Sequence, residues 1–121
     1  MYIIDRRKME RYTIPGAWIV FDQVGSTSRS GPVKDISTSG ICFRSDQKLK
    51  PGFSLNMTLS VSGKKDIYIK GEVIRISERD KANTFDVVVQ FFLFGTYERY
   101  NSMNAYNQLK ILTREYRRKS A

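Results

Sequence analysis

The chain has 121 residues, which is enough for one domain, and its 40% hydrophobic and 27% charged residues are typical of a folded protein. Lys and Arg outnumber Asp and Glu by 21 to 12, and the net charge of +9 indicates an anionic partner. The sequence has no His, which excludes a Ser-His-Asp triad and a His-ligated metal. The single cysteine, Cys42, excludes an internal disulfide and a Cys-cluster metal site.

No apolar stretch approaches the roughly 20 residues that a membrane-spanning helix needs, since the longest runs only from Ala17 to Phe21. The first residues also lack the apolar core of a signal peptide. We therefore expect a cytoplasmic protein with no membrane span, no metal and no cofactor. The absence of a nucleophile-base pair further predicts that it is not an enzyme.

Residues 1–11 are predicted to form a basic arm, which has four cationic and two acidic side chains and too few apolar ones to form a core. Such a segment cannot build a core, so we expect it to be flexible in the absence of a ligand. From Tyr12 onward, β-branched and aromatic residues dominate, and residues 12–95 are predicted to form a β-barrel. Trp18, in the first strand, is expected to lie in the barrel core.

The clearest predicted strand runs from Phe53 to Val61, where apolar and polar residues alternate. The alternation resumes at Ile67 and slips by one residue after Gly71, which predicts a β-bulge or a barrel corner. Residues 85–94 are almost continuously apolar, which indicates a strand that is buried on both faces.

The apolar spacing becomes helical after residue 95, and a helix is predicted over 96–119 with Thr96 as its N-cap. Arg and Lys residues crowd its last turn, where cations are favourable. Counting about six short strands before this helix, we predict a mainly β fold: a six-stranded antiparallel barrel followed by a C-terminal α-helix.

Two short motifs stand out. Arg7 and Arg11 form an R-x-x-x-R motif within RRKMER, and Asp35, Ser37 and Gly40 form a D-x-S-x-x-G motif within DISTSG. By itself the second motif predicts a tight turn, because Asp and Ser side chains bond nearby backbone amides and Gly tolerates a positive φ. Together with the strands that follow, the motifs resemble the PilZ domain family of bacterial receptors for cyclic di-GMP, over residues 6–94.

The resemblance implies a binding site for cyclic di-GMP in which the five motif residues contact the ligand. The chemistry fits, because the planar fork of Arg suits both the guanine acceptors and the phosphates, while Asp35 can accept from the guanine N1 and N2 donors. Ser37 can serve a phosphate or a base, and Gly40 permits close approach of the backbone. Arg6, next to the motif, is expected to stack on a second ligand molecule. One departure concerns the last strand, which in the family often begins with Gly before its apolar residues, whereas this chain has Asp86-Val87-Val88-Val89.

The function implied by the resemblance is that of a cyclic di-GMP receptor, which changes its surface on ligand binding and so regulates an unidentified effector protein. The output would concern bacterial motility, adhesion or exopolysaccharide. Two alternatives remain open at this point. One is a PilZ-like interaction adaptor that does not bind the ligand, and the other is a small-barrel protein that binds RNA or single-stranded DNA, as the +9 charge allows. Nucleic acid is not the expected partner.

Overall fold

The computed structural model describes residues 11–23, 27–78 and 83–120, with side chains in the last helix described up to residue 116. Six strands are followed by one helix. Their bounds are β1 Trp18–Gln23, β2 Arg29–Ile36, β3 Gly40–Ser45, β4 Ser54–Ser60, β5 Ile67–Glu78, β6 Phe85–Phe91 and α1 Met103–Ser120.

The strands close into an antiparallel barrel in the order β1-β2-β3-β6-β5-β4, which confirms the predicted fold. Closure gives each of the six described strands two hydrogen-bonded neighbours, so none of them is an open sheet edge. It also places β3 and β6 side by side, on the side of the barrel away from the β1–β4 pair. The outer surface of the barrel is therefore divided between two faces that different ligands or partners could use.

Alternate side chains of each strand fill the barrel. Ile19 and Phe21 of β1 point inward and are almost completely buried, and the Phe21 ring lies 4.7 Å from that of Phe43 between centroids. The same alternation turns Trp18 and Val20 outward, because successive side chains of a strand lie on opposite faces. The prediction that Trp18 is a core residue is therefore wrong: its side chain is 45% exposed.

Two local irregularities interrupt the strand pairing, and one of them was predicted. The pairing of β5 with β6 shifts register between Val73 and Arg75, which confirms the slip predicted after Gly71. A second shift, between Val33 and Asp35, affects the pairing of β2 with β3. It adds a residue to β2 immediately before the D-x-S-x-x-G motif.

The helix begins later than predicted. Residues 96–102 do not form its first turn, and α1 starts at Met103 with Ser102 as its cap, since the Ala105 N–H donates to Ser102 Oγ at 3.0 Å. The reason is Asn101, which is buried and whose side chain bonds the backbone N–H and C=O of Lys70 and the C=O of Phe92. These tertiary hydrogen bonds hold the segment against β5 in a non-helical conformation.

One face of α1 packs on the barrel. Ala105, Leu109 and Leu112 are buried and belong to the same apolar cluster as the barrel interior. Near the other end, Lys64 in the β4–β5 hairpin forms an ion pair with Glu115 at 2.7 Å. None of the helices in the described residues is long and apolar enough to cross a membrane.

Candidate functional site

The end of the R-x-x-x-R motif and the start of the D-x-S-x-x-G motif are in direct contact. The Arg11 guanidinium forms an ion pair with Asp35, with Nε donating to Oδ1 at 2.5 Å, although the two residues are 24 positions apart. The backbone supports this pair, because Tyr12 and Ile36 exchange hydrogen bonds of 2.8 and 3.0 Å as an isolated antiparallel bridge. Both partners keep about a quarter of their side-chain surface exposed.

Ser37 organises the turn that follows. Its side chain is completely buried, and its hydroxyl accepts hydrogen bonds from the N–H groups of Ser39 and Gly40 at 3.1 and 3.2 Å. The hydroxyl also shares a 3.0 Å hydrogen bond with the Ser39 hydroxyl. In addition, the Ser37 N–H donates to the Gly40 carbonyl at 2.9 Å. The hydroxyl therefore holds the turn from the inside and is not itself exposed to a ligand.

Gly40 is buried and begins β3, but not for the reason that the sequence suggested. Its φ is not positive; among the described glycines, positive values occur at Gly16, Gly52 and Gly63. Instead, the Gly40 carbonyl accepts from the Ser37 N–H and the Gly40 N–H donates to Ser37 Oγ, while Gly40 pairs with Gln90 of β6.

The motif turn adjoins a row of residues that crosses four strands on the outer face of the barrel. The register places Asp35 opposite Cys42, Cys42 opposite Val88, and Val88 opposite Arg75. Directly opposed residues project from the same face of a sheet, so these four side chains form a continuous strip. Cys42 and Val88 are buried and give the middle of the strip an apolar character, between an acid at one end and a cation at the other.

A second charged cluster lies beside this strip. Asp86 is buried, and its carboxylate faces Lys34 Nζ at 3.3 Å and Arg44 Nε at 4.0 Å. Both cations remain about half exposed. Lys34, Arg44, Arg11 and Arg75 carry four positive charges on this face. Asp35 and Asp86 carry two negative charges, so the net charge of these six side chains is +2. The face is thus suited to a dianionic ligand.

The two carboxylates also act on Cys42. Burial raises the pKa of the Cys42 thiol, and the negative charges of Asp35 and Asp86 raise it further. Lys34 and Arg11 act in the opposite direction, but with smaller effects. The thiol is therefore held in its neutral form and acts as a small apolar part of the surface.

The structure brings Arg11, Asp35, Ser37 and Gly40 together at the motif turn. Arg6 and Arg7 lie outside the described residues. Sequence reasoning missed Arg44, Arg75 and Asp86, which come near the motif only through strand pairing, and also Lys34, which directly precedes Asp35. A signal was available for Asp86, a charged residue inside an otherwise apolar strand.

No group of three or more Cys, Asp or Glu side chains suited to a metal ion is found in the part of the chain that the structure describes.

Comparison with known proteins identifies the family. The model of the PilZ domain matches residues 5–102, which is most of the chain. The chain belongs to the PilZ family. The matched range includes both motifs, the whole barrel and the segment that leads into α1. No curated protein is similar enough in sequence to count as a match.

Solved PilZ structures share this fold at low sequence identity. The PilZ domain of YcgR from Escherichia coli with c-di-GMP is 17% identical and has a TM-score of 0.74, covering 96% of this chain and 95% of that one. The MrkH–c-di-GMP complex of K. pneumonia is 17% identical with a TM-score of 0.70, and covers 97% and 57%. The Bacillus subtilis inhibitor of motility MotI is 17% identical with a TM-score of 0.70, and covers 98% and 55%. The present PilZ domain thus spans just over half the length of MotI and MrkH.

Proposed function

We propose that this PilZ domain is a receptor for cyclic di-GMP and that it binds the dinucleotide at the motif turn. The observation that carries the proposal is the contact between Arg11 and Asp35, which joins the two sequence motifs into one site. Membership of the PilZ family supports the same ligand, as does the presence of c-di-GMP in similar structures of YcgR and MrkH.

The paired side chains retain the capacity to bind a ligand. A guanidinium has five N–H donors and a carboxylate has about four acceptor positions, and a single ion pair uses only part of each. Asp35 can therefore accept from the N1 and N2 donors of a guanine, while Arg11 donates to O6, N7 or a phosphate. Arg6 and Arg7, which precede Arg11 in the sequence, would supply the remaining positive charge.

The rest of the outer face suits the other parts of a dinucleotide. The buried pair Cys42 and Val88 offers an apolar floor on which a flat base can lie. Lys34 and Arg44 are half exposed beside that floor and can neutralise a phosphate. In this proposal Ser37 contributes indirectly, since its hydroxyl holds the turn whose backbone the ligand meets.

The proposed mechanism of signalling needs no catalytic group. A ligand with two negative charges would draw the basic arm of residues 1–11 against the motif turn, where the protein already has a net positive charge. The arm and turn would then present a new surface to an effector protein. A cytoplasmic location and an output in motility, adhesion or exopolysaccharide belong to this proposal as well.

Isothermal titration with cyclic di-GMP tests the proposal. We expect the wild-type protein to bind and Arg7→Ala or Arg11→Ala to weaken binding by about 10-fold or more, because each removes charge-assisted hydrogen bonds of about 1.5–3 kcal/mol. The matched control is Arg29→Ala, which removes an exposed Arg at the start of β2, away from the motif turn.

Absence of binding by the wild-type protein would favour the alternative of an adaptor that does not bind the ligand. Tight binding of single-stranded RNA with a steep salt dependence, unaffected by Asp35→Ala, would favour the nucleic-acid alternative.

A further inference from the structure

A cleft lies on the β1–β4 side of the barrel, away from the motif turn. It is formed by the outer faces of β1, β4 and the first half of β5, together with the segment that Asn101 holds before α1. Its volume is about 510 Å³, which is within the usual range for sites that bind small molecules. Arg11, Asp35, Ser37 and Gly40 are not among the residues that line it.

A row of polar side chains crosses the three strands inside this cleft. The register places Asp22 opposite Asn56, and Asn56 opposite Lys70. Thr58 lies beside this row, because residues two apart in a strand project from the same face. Asn56 Nδ2 donates to Asp22 Oδ1 at 3.3 Å, which uses one of the two amide N–H groups and one of about four acceptor positions of the carboxylate. The row therefore still offers donors and acceptors side by side.

Two tyrosines stand beside the polar row. Tyr68 of β5 is 71% exposed and is paired with Thr58 of β4. Tyr100, in the segment before α1, is half buried, and its ring meets that of Tyr97 edge-on with the centroids 5.2 Å apart. Tyr100 also lies against Gly95, where a Cβ would come within 2.7 Å of the ring. Both Tyr68 and Tyr100 line the cleft, so aromatic rings and polar groups face the same space.

The charges in and around the cleft balance. Asp22 and Lys70 are the charged residues that line it, and Lys70 Nζ donates to the Glu98 carbonyl at 3.4 Å. With their charged neighbours among the described residues they make three acids and three cations: Asp22, Glu72 and Glu98, and Arg29, Lys70 and Arg99. In a chain of net charge +9, this local neutrality gives a nucleic acid, a nucleotide or an anionic lipid no electrostatic advantage here.

A neutral saccharide has the matching distribution of groups. A pyranose ring carries hydroxyls around its edge, each of which can donate and accept a hydrogen bond, and C–H groups on its two faces. The carboxylate of Asp22, the amide of Asn56 and the hydroxyl of Thr58 supply partners for such hydroxyls. An exposed tyrosine ring supplies a flat apolar surface for the C–H groups.

We propose that this cleft binds a neutral saccharide, with its hydroxyls bonded to Asp22, Asn56 and Thr58 and one sugar face packed on the Tyr68 ring. The polar row is carried by paired strands, and the contact between Asn56 and Asp22 already exists, so little ordering is needed on binding. Small β-barrels of the OB-fold type bind oligosaccharides on the outer faces of their strands, which is the same placement. This site goes beyond the proposed receptor function and does not depend on it, since it uses another side of the barrel.

The test is a titration of the isotope-labelled full chain, without dinucleotide, with cellotetraose, maltotetraose and tetra-N-acetylchitotetraose, followed by amide chemical shifts. We expect at least one of these neutral sugars to bind saturably with a Kd of about 1 mM or below, and to shift residues 56–58 and 68–70. Tyr68→Ala should weaken binding about tenfold, whereas Tyr68→Phe keeps the ring and should bind within about threefold of the wild type.

Asn56→Ala tests the polar row. It should weaken binding about fivefold or more, because the sugar hydroxyls lose both a donor and an acceptor. The matched control is Asn107→Ala, an exposed asparagine of α1, which should leave binding unchanged. Since Asn56 and Tyr68 are both exposed, we expect every variant to keep the circular dichroism spectrum and melting temperature of the wild type.

Several results would overturn the proposal. They are failure of all three tetrasaccharides to bind, and equal binding by wild type and Tyr68→Ala. Tighter binding of tetragalacturonate, guanosine or a uridine tetranucleotide at the same residues would also overturn it, because the cleft would then not select a neutral saccharide. Cyclic di-GMP is titrated separately and should shift the motif turn, so failure of the proposed receptor function would be seen independently.

Discussion

The backbone N–H of Phe91 donates to the carbonyl of Ser39 at 2.9 Å, so the end of β6 is bonded to the middle of the motif turn. The carbonyl of the next residue, Phe92, accepts a 3.0 Å hydrogen bond from the side chain of Asn101. Ser102, which caps α1, follows directly. A short series of hydrogen bonds therefore connects the proposed ligand site to the start of α1.

The first prediction concerns the turn itself. Ser37→Ala removes the buried acceptor of the Ser39 and Gly40 amides, and we expect it to lower the free energy of unfolding by about 1–3 kcal/mol. Urea denaturation checks this. Ser54→Ala, an exposed serine at the start of β4, is the control and should change stability by less than about 0.5 kcal/mol. Equal stability of the two variants would show that the Ser37 hydroxyl does not support the turn.

The second prediction concerns the effects of Asp35 on binding and on stability. Asp35→Ala should reduce the affinity for cyclic di-GMP by about tenfold or more, because the guanine donors lose their acceptor. It should also cost about 1–3 kcal/mol of stability, because the Arg11 guanidinium, only about a quarter exposed, loses its partner.

Asp35→Asn provides the matched comparison for that experiment. It keeps one acceptor oxygen and loses the charge, so its loss of affinity should be smaller than that of the alanine variant. If Asp35→Ala lowers the melting temperature but leaves the affinity unchanged, Asp35 only forms the turn and does not contact the ligand.

The third prediction concerns the reactivity of Cys42. Burial and the nearby carboxylates raise the pKa of its thiol, so iodoacetamide at pH 8 should modify the native protein far more slowly than the protein in urea.

The raised pKa of Cys42 also makes the stability of the protein depend on pH. The folded protein holds the thiol proton more tightly than the unfolded chain, so the stabilisation is complete below the unfolded pKa and is lost as the pH rises through the folded one.

Cys42→Ala is the variant that isolates this effect. The difference in unfolding free energy between wild type and variant should be constant at neutral pH and should shift against the wild type above about pH 8.5. Rapid labelling of the native thiol at pH 8 would contradict the buried, neutral state of Cys42.

The sequence was sufficient to predict the barrel because strand periodicity is a local property. The alternation from Phe53 to Val61 and the slip after Gly71 correspond to β4 and to the register shift in β5. The position of Trp18 could not be predicted in the same way. Its neighbours are apolar on both sides, and only the closure of the barrel determines which alternate residues point inward.

The candidate site shows the same division between local and tertiary information. Arg11, Asp35, Ser37 and Gly40 were found because they form recognisable motifs. Lys34 and Asp86 were not found as a pair, because they are 52 positions apart and meet only when β2, β3 and β6 align. The start of α1 was predicted too early for a similar reason, since the hydrogen bonds of Asn101 are tertiary.

The fourth prediction addresses ligand stoichiometry. Arg6 adds a third guanidinium next to Arg7, and stacking of that group on a second dinucleotide would give two ligands per chain. Titration of the wild-type protein should then give a stoichiometry of two, and Arg6→Ala should give one with a smaller loss of affinity than Arg7→Ala. A stoichiometry of one for the wild-type protein would exclude this role for Arg6.

The last prediction concerns the connection between the motif turn and α1. Asn101 is buried, and its side chain makes three hydrogen bonds to the backbone of Lys70 and Phe92. If the proposed ligand orders the turn, the change should reach the first turn of α1 through Phe91 and Asn101. Amide hydrogen exchange should therefore show that cyclic di-GMP increases the protection of residues 103–106 as well as that of the turn.

Asn101→Ala should lower stability by about 1–3 kcal/mol, because it leaves buried backbone groups without partners. It should also abolish the ligand-dependent protection of α1 while the turn still responds, since Phe91 remains bonded to Ser39. Asn104→Ala, an exposed asparagine in the same helical turn, should leave both effects unchanged. If α1 responds equally to the ligand in wild type and Asn101→Ala, the coupling must run through the packing of Ala105 and Leu109 on the barrel instead. That result would overturn the role assigned to the hydrogen bonds of Asn101.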